Sequence, residues 1–207
     1  MSAVRGECYV ISAPSGAGKT SLVRALVAAF DRITVSVSHT TRPRREGEMQ
    51  GQDYHFVSLP EFERMIERGE FIEHARVFGN YYGTSLQALE TPLAAGTDVV
   101  LEIDWQGARR IRARVPDCVS VFVVPPSVEE LRQRLEGRGR DDPETIELRM
   151  REAALEMSHY GEYDYLVVND LFELALQDLQ AIVRARRLRT EAQRLRRGAE
   201  LAHLMAP

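Results

Sequence analysis

The sequence predicts an α/β fold in which a five-stranded parallel sheet is interrupted by one small inserted α+β subdomain. Five short runs are almost continuously apolar and rich in β-branched residues, which is typical of buried parallel strands. Helix-period segments separate most of these runs, as crossover connections require. The alternation breaks over residues 38–96, where Gly, Tyr, Arg and Glu are frequent. We therefore expect this stretch to form a separate subdomain.

These patterns define the predicted elements and their grouping. The predicted strands are 8–11, 33–37, 99–103, 119–124 and 165–168. The predicted helices are 19–30, 106–115, 127–135, 145–159 and one long C-terminal helix over about 171–197. Inside the insert, 54–57 and 71–78 have the pattern of half-exposed strands and are expected to pair in antiparallel fashion. The expected division is a core of residues 1–37 and 97–207 and an insert of residues 38–96.

Composition restricts the classes of function. The chain has 207 residues, 44% of them hydrophobic, and a net charge of −4 at pH 7. The length suits one domain with small insertions, and the lack of a global basic field argues against a nucleic acid partner. Cys8 and Cys118 lie in apolar runs, which indicates buried, reduced thiols in a cytoplasmic protein. No apolar stretch is long enough to span a bilayer, so no membrane partner is expected. The basic run at 183–198 is interpreted as a solvated helix face or a contact within a homo-oligomer.

A phosphate-binding loop is predicted between the first strand and the first helix. The pattern G-x-x-x-x-G-K-[ST] is matched, with alanine in place of the first glycine, by Ala13, Pro14, Ser15, Gly16, Ala17, Gly18, Lys19 and Thr20. Gly16 and Gly18 allow the positive φ that turns backbone N–H groups toward an anion, and the helix N-terminus adds positive potential. Lys19 is expected to reach the β- and γ-phosphates, and Thr20 to offer its hydroxyl to Mg²⁺. The loop therefore predicts a nucleoside triphosphate site.

A cluster of arginines in the insert suggests a second phosphate site. Arg42, Arg44 and Arg45 lie within four residues, and guanidinium groups bind phosphate through two parallel hydrogen bonds. Tyr54 adds a phenol that can donate to a phosphate oxygen. The alternative interpretation of this segment is a solvated basic loop.

Acidic residues in two later segments suggest recognition of a nucleobase. Glu73 stands in an otherwise apolar run, where a carboxylate could accept two donors from the edge of guanine; the alternative is an exposed strand residue. Tyr82 and Thr84 follow closely and offer further contacts to a base or phosphate, although Tyr82 could equally be a packing aromatic. Glu102 and Asp104 end an apolar strand, and ligands of α/β sheets bind at the carboxyl ends of strands. The residues alone leave open whether the acid there steers Mg²⁺ through water or binds the base.

The chain resembles the guanylate kinase family of nucleoside-monophosphate kinases. The segments that carry the resemblance occur in family order over residues 10–170: SAPSGAGKT, VSVSHTTRPRREGEMQGQDYHF, GEFIEHARVFGNYYGTS, LEIDWQG, PPSVEELRQRLEGRGRD and VVND. The resemblance implies a P-loop kinase that transfers the γ-phosphoryl group of ATP to GMP with Mg²⁺. It also implies a helical lid over about residues 127–160, within one guanylate-kinase-like unit over residues 4–185.

The resemblance assigns roles to residues that match the family's motifs. It implies that the GMP phosphate is held by Arg42, Arg45, Tyr54 and Tyr82, and that guanine is recognised by Ser38, Glu73, Thr84 and Asp104. Pro43 stands one place earlier than in the family's Thr-Thr-Arg-x-Pro-Arg pattern, so Arg44 and Arg45 compete for the second phosphate contact. The register of the downstream Gly47-Glu48 pair favours Arg45.

The same resemblance places arginines of the lid over the ATP phosphates. It implies that Lys19, Arg134, Arg138 and Arg149 stabilise charge on the transferring group, and that Asn169 lies near the adenine. Two alternatives stay open, a non-catalytic guanylate-kinase-like binding module and a kinase of another phosphorylated acceptor. Lys19 and Thr20 argue against the first, because such modules typically lack a working phosphate loop. Glu73, with the other guanine contacts, argues against the second.

Overall fold

The computed structural model describes residues 5–77, 79–137 and 142–204. Its strands are β1 (Cys8–Ser12), β2 (Ile33–Val35), β3 (His39–Thr40), β4 (His55–Phe56), β5 (Phe71–Val77), β6 (Asn80–Ser85), β7 (Asp98–Glu102), β8 (Val119–Val124) and β9 (Tyr165–Val168). Its α-helices are α1 (Lys19–Ala28), α2 (Leu59–Glu67), α3 (Leu86–Ala94), α4 (Trp105–Arg114), α5 (Val128–Glu136), α6 (Pro143–Met157), α7 (Phe172–Arg187) and α8 (Thr190–Leu204). No helix in these ranges is both long enough and apolar enough to cross a membrane.

The predicted five-stranded parallel sheet is confirmed, with the strand order β2–β7–β1–β8–β9. The central strand β1 pairs in parallel with β7 and β8, so that Val10 lies opposite Leu101 on one side and Ser120 on the other. Alternate residues of β1 point to opposite faces. Tyr9 and Ile11 pack in a core with α1 and α7, whereas Val10 packs in a second core with α3 and α4. Cover on both faces explains why β1, β7 and β8 read as continuous apolar runs. The expectation of a buried strand is wrong for β9, where only Val167 is buried.

The inserted segment forms a second sheet of four strands, in the order β4–β3–β6–β5. The antiparallel expectation is correct for β5 with β6, but it is wrong for β4, which pairs in parallel with β3. Strands of two residues carry too little alternation to reveal their direction. Two helices escaped the sequence analysis: Ser58 accepts from the Glu61 N–H to cap α2, and Ser85 accepts from the Ala88 N–H to cap α3.

Helix α3 packs against the main sheet although it follows the small one. Leu89 and Leu93 are buried in the same cluster as Val99 and Leu101 of β7. The Gly6 N–H also donates to the Leu93 carbonyl at 2.8 Å. Helix α3 thus contacts the main sheet although it lies within residues 38–96.

The predicted single C-terminal helix is wrong, because α7 ends at Arg187 and α8 begins at Thr190. Arg187 donates to the fully buried Asp98 carboxylate at 2.8 Å, and Arg196 lies 3.5 Å from its other oxygen. In one continuous helix these arginines would be about 14 Å apart along the axis. The break lets both reach Asp98, and Gln193 donates across it to the Arg187 carbonyl. Part of the basic run is therefore paired inside the chain.

Candidate active site

A cavity of about 330 Å³ lies where the carboxyl ends of β1 and β7 meet the small sheet. The residues that line it come from the loop after β1, from the end of β7, from the small sheet and from α6. The predicted site residues among them are Ala13, Pro14, Ser15, Gly16, Gly18, Lys19, Thr20, Ser38, Arg45, Tyr54, Glu73, Tyr82 and Asp104. Residues that are distant in the sequence, and predicted for two different ligands, thus share one cavity.

The loop between β1 and α1 has the backbone of an anion site. Gly16 and Gly18 have φ of 96° and 89°, which side-chain-bearing residues rarely adopt. The Asn169 side-chain amide donates to the Ala17 carbonyl at 2.7 Å, and a Cβ on Gly18 would lie 2.4 Å from that amide nitrogen. Asn169 therefore supports the conformation of the loop through this hydrogen bond. The Lys19 ammonium lies 3.5 Å from the Ile103 carbonyl, at the end of β7.

An oxygen-rich corner lies beside this loop. The Thr20 hydroxyl donates to the Glu102 carboxylate, and both residues line the cavity. A hydroxyl and a carboxylate are hard oxygen donors, so the pair fits Mg²⁺. Sequence reasoning places both acids at the strand end but predicts only Asp104 as a site residue, so Glu102 is missed. Its position at the carboxyl end of β7 was the available signal.

Asp104 serves first as the cap of α4. One carboxylate oxygen accepts from the Gly107 N–H at 2.9 Å, and the other accepts from the Gln106 amide at 3.2 Å. A cap in this position satisfies a backbone donor of the first turn and favours the negative charge at the helix N-terminus. The helix thereby holds the Asp104 carboxylate at the wall of the cavity.

Glu73 is buried, with 5% of its surface exposed, so the alternative of an exposed strand residue is wrong. The register of β5 against β6 shifts between Phe71 and Glu73, and such a bulge redirects side chains. One carboxylate oxygen accepts from the Thr84 hydroxyl at 2.7 Å and from its N–H at 2.9 Å. Burial raises the pKa of Glu73 to about 7, against the hydrogen bonds from Thr84, and the nearby Asp104 charge raises it further. Thr84 is fully buried, and its two hydrogen bonds hold the Glu73 carboxylate in place.

The arginine-rich loop arranges its side chains unequally. Arg42 donates to Glu48 at 2.6 Å and lies 5.4 Å from the centre of the Tyr54 ring. Arg45 lines the cavity, and its N–H donates to the other oxygen of Glu48 at 2.7 Å. Tyr54 and Tyr82 meet edge to face at 5.9 Å. Glu48 thus holds both ends of the loop, with Arg45 rather than Arg44 at the cavity wall.

Two of the predicted lid arginines, Arg134 and Arg149, do not line the cavity. Arg134 donates to Glu130 at 2.9 Å and to the Asn169 carbonyl at 3.1 Å. Arg149 lies on α6, where its charge lowers the pKa of the neighbouring Glu152 against the larger rise caused by burial. Arg138 lies outside the described residues.

Glu156 of α6 also lines the cavity, and sequence reasoning missed it. Burial raises its pKa to about 7, whereas the Lys19 charge and the Ser15 N–H lower it. One of its carboxylate oxygens is buried and has no hydrogen-bond partner in the described part of the chain. Glu156 follows Arg149 by seven residues, or two helical turns, so both lie on the same face of α6. This spacing from a predicted site residue was the signal in the sequence that could have indicated Glu156.

Known proteins resemble this chain over the whole site. The family model described as guanylate kinase matches residues 5–186. A guanylate kinase of Alkalilimnicola ehrlichii is 60% identical over 188 residues, which are 91% of this chain and 93% of the relative. A guanylate kinase of Escherichia coli K12 is 55% identical over 205 residues, which are 98% and 99%. The crystal structure of guanylate kinase from Anaplasma phagocytophilum has a TM-score of 0.77 at 39% identity and covers 92% of this chain and 90% of that one.

Proposed function

Because the chain belongs to the guanylate kinase family, it is a nucleoside-monophosphate kinase, and we propose that it transfers the γ-phosphoryl group of ATP to GMP, giving ADP and GDP. The observation that carries the proposal is that the phosphate loop and the buried Glu73 line one cavity. A non-catalytic binding module would have no use for Lys19 and Thr20 there. A kinase of another phosphorylated acceptor would have no use for a carboxylate buried beside Asp104.

The loop of residues 13–20 is proposed to bind the phosphates of ATP. Its two glycines turn backbone N–H groups inward, and α1 directs its positive end at the same place. Lys19 is proposed to neutralise charge on the β- and γ-phosphates. Asn169 is proposed to support this site through the loop rather than through the adenine, since its amide donates to Ala17.

The small sheet is proposed to hold GMP. Its phosphate is proposed to be bound by Arg42, Arg45, Tyr54 and Tyr82. Its base is proposed to be recognised by the set Ser38, Glu73, Thr84 and Asp104. The ionised Glu73 accepts from guanine through the oxygen that Thr84 leaves free. The contact between Thr20 and Glu102 supports assigning Asp104 to the base and Glu102 to the metal.

Catalysis is proposed to rest on positioning and charge neutralisation. The phosphate of GMP is largely ionised at neutral pH, so no strong general base is needed. Arg42 and Arg45 hold this nucleophile in line, while Lys19 and the lid residues Arg134, Arg138 and Arg149 stabilise charge on the transferring group. For the last three, closure of α5 and α6 over the donor is part of the proposal, and closure also excludes water.

Mg²⁺ is proposed as the cofactor, held by Thr20 and by Glu102. When bound with the nucleotide, Mg²⁺ neutralises negative charge on the phosphates. We also propose a cytoplasmic location, which suits the free, buried thiols of Cys8 and Cys118.

The proposal is tested by ADP release from ATP and Mg²⁺ with GMP, AMP, UMP, CMP or no acceptor. We expect turnover that depends on GMP and that is weakened in Glu73→Ala mainly through a higher KM for GMP. Equal rates with every acceptor would indicate another kinase, and no turnover with any acceptor would indicate a binding module.

A further inference from the structure

Gly107 occupies a position where glycine is unfavourable for the backbone. It is the third residue of α4, it is buried, and it is not among the residues with positive φ. Glycine is the poorest helix former apart from proline. The helix itself therefore gives no reason for a glycine at this position.

The reason lies in the space beside Gly107. A Cβ at this position would lie 2.7 Å from one carboxylate oxygen of Glu73 and 3.2 Å from its carboxyl carbon. Separations below 3.0 Å do not persist, so the carboxylate would have to move. Glu73 is held by two hydrogen bonds from Thr84 to its other oxygen, and movement would strain or break them.

Neither wall of this space is free to retreat. The Gly107 N–H donates to the Asp104 carboxylate, whose nearer oxygen would lie 3.3 Å from the added Cβ. At the other end of α4, Arg114 donates to the Ile72 carbonyl at 2.6 Å, which ties the helix to β5. Residue 107 thus lies between the two carboxylates that face the base side of the cavity.

We propose that Gly107 is a positioning residue for selection of the acceptor base, because its missing side chain leaves the place that the Glu73 carboxylate must occupy. The inference rests on the proposed function, in which Glu73 reads guanine. Any side chain at 107 displaces that carboxylate while leaving the donor half of the site intact.

The first experiment compares Gly107→Ala with the wild type in the full chain, measuring the KM for GMP, the KM for ATP, kcat, and GMP binding by calorimetry. We expect the KM for GMP to rise roughly tenfold or more, as for the loss of a hydrogen bond to a charged group, with the KM for ATP unchanged. The matched control is Gly198→Ala in α8, where an added Cβ would have no neighbour within 4 Å. This control should behave as the wild type.

A double-mutant cycle separates displacement of Glu73 from general damage to the fold. Glu73→Ala removes the group that the new Cβ would strike, so Gly107→Ala should add no further rise in the KM for GMP in that background. If Gly107→Ala alone fails to fold, recovery of folding in the double variant supports the same contact. Additive effects, an unchanged KM in the single variant, or misfolding of both variants would overturn the inference. Absence of GMP turnover in the wild type would instead count against the proposed function, and calorimetric GMP binding would still test Gly107.

Discussion

The phosphate loop and the base side of the cavity are built in opposite ways. The loop is one continuous stretch, residues 13–20, whose work is done largely by backbone N–H groups. The proposed base side gathers Ser38, Glu73, Thr84 and Asp104 from positions up to 66 residues apart, and it relies on side chains, among them Glu73, whose pKa is raised by burial. A local motif can therefore specify a phosphate site, whereas a base site requires the whole fold. Changes in the two halves should therefore affect different substrates.

The largest effect is expected for Lys19→Met. The substitution removes the cation that the phosphate loop contributes to the donor half, so kcat should fall about 10³-fold, in the range seen for the loss of one charge-stabilising group. GMP binding by calorimetry should not change. Lys19 is the only lysine of the chain, so an amine-directed reagent that spares the N-terminus reports on this position alone. ATP should protect against it and GMP should not; protection by GMP alone would contradict the separation.

A smaller effect, confined to the acceptor, is expected for Glu73→Gln. The amide keeps the shape of the carboxylate but loses its charge and places a donor against the guanine edge. The KM for GMP should rise about 10- to 100-fold, as expected for a hydrogen bond to a charged group, with the KM for ATP unchanged. Steady-state kinetics with each substrate varied in turn would measure both. A matching rise in the KM for ATP would show that the halves are coupled.

A change of pH should alter the KM for GMP through the charge of Glu73. Protonation puts an O–H donor on the carboxyl group that is proposed to accept from guanine, and the pKa of Glu73 is about 7, so the KM for GMP should rise as the pH falls from 8 to 6. The change in the KM for GMP with pH should be smaller in Glu73→Gln.

The raised pKa of Glu73 also means that the folded state binds this proton more tightly than the unfolded state. The contribution of Glu73 to the free energy of unfolding is therefore present below about pH 4.5 and is lost as the pH rises through about 7.

The contribution of Glu73 to the pH dependence of the free energy of unfolding can be measured directly. Thermal unfolding at pH 5 and pH 8 should show that Glu73→Gln loses less stability across the interval than the wild type, by roughly 1–3 kcal/mol. Glu156, whose pKa is shifted in the same direction, keeps its contribution in both proteins and cancels in the comparison. Identical pH dependences would mean that Glu73 is ionised at pH 5 in the folded protein.

The smallest effect is expected for Asn169→Ala. Its amide supports the phosphate loop through one buried hydrogen bond to Ala17, so the free energy of unfolding should fall by about 1–2 kcal/mol. The KM for ATP should rise a few fold, while the KM for GMP should not change. Gln177→Ala on the exposed face of α7 is the control for loss of an amide. A larger effect on GMP than on ATP would place Asn169 in the other half.

Much of the fold followed from local patterns. The central parallel strands follow from the sequence because burial on both faces makes them continuously apolar, as at Val119–Val124. The missed helix α3 contains Pro92, which hides the helical pattern. The break between α7 and α8 was missed because its cause, the shared contact of two arginines with Asp98, joins residues about 90 positions apart.

The sequence by itself determined the phosphate loop, because two glycines and a Lys-Thr pair before a helix dictate the backbone conformation that makes an anion site. It also named Glu73 and Asp104, but it left the burial of one and the role of the other open. Only the tertiary structure decided that Glu73 is buried on Thr84, that Asp104 caps α4, and that Glu102 and Glu156 join the site. The physical reason is that desolvation and charge–charge interaction depend on neighbours in space, and these neighbours come from distant parts of the chain.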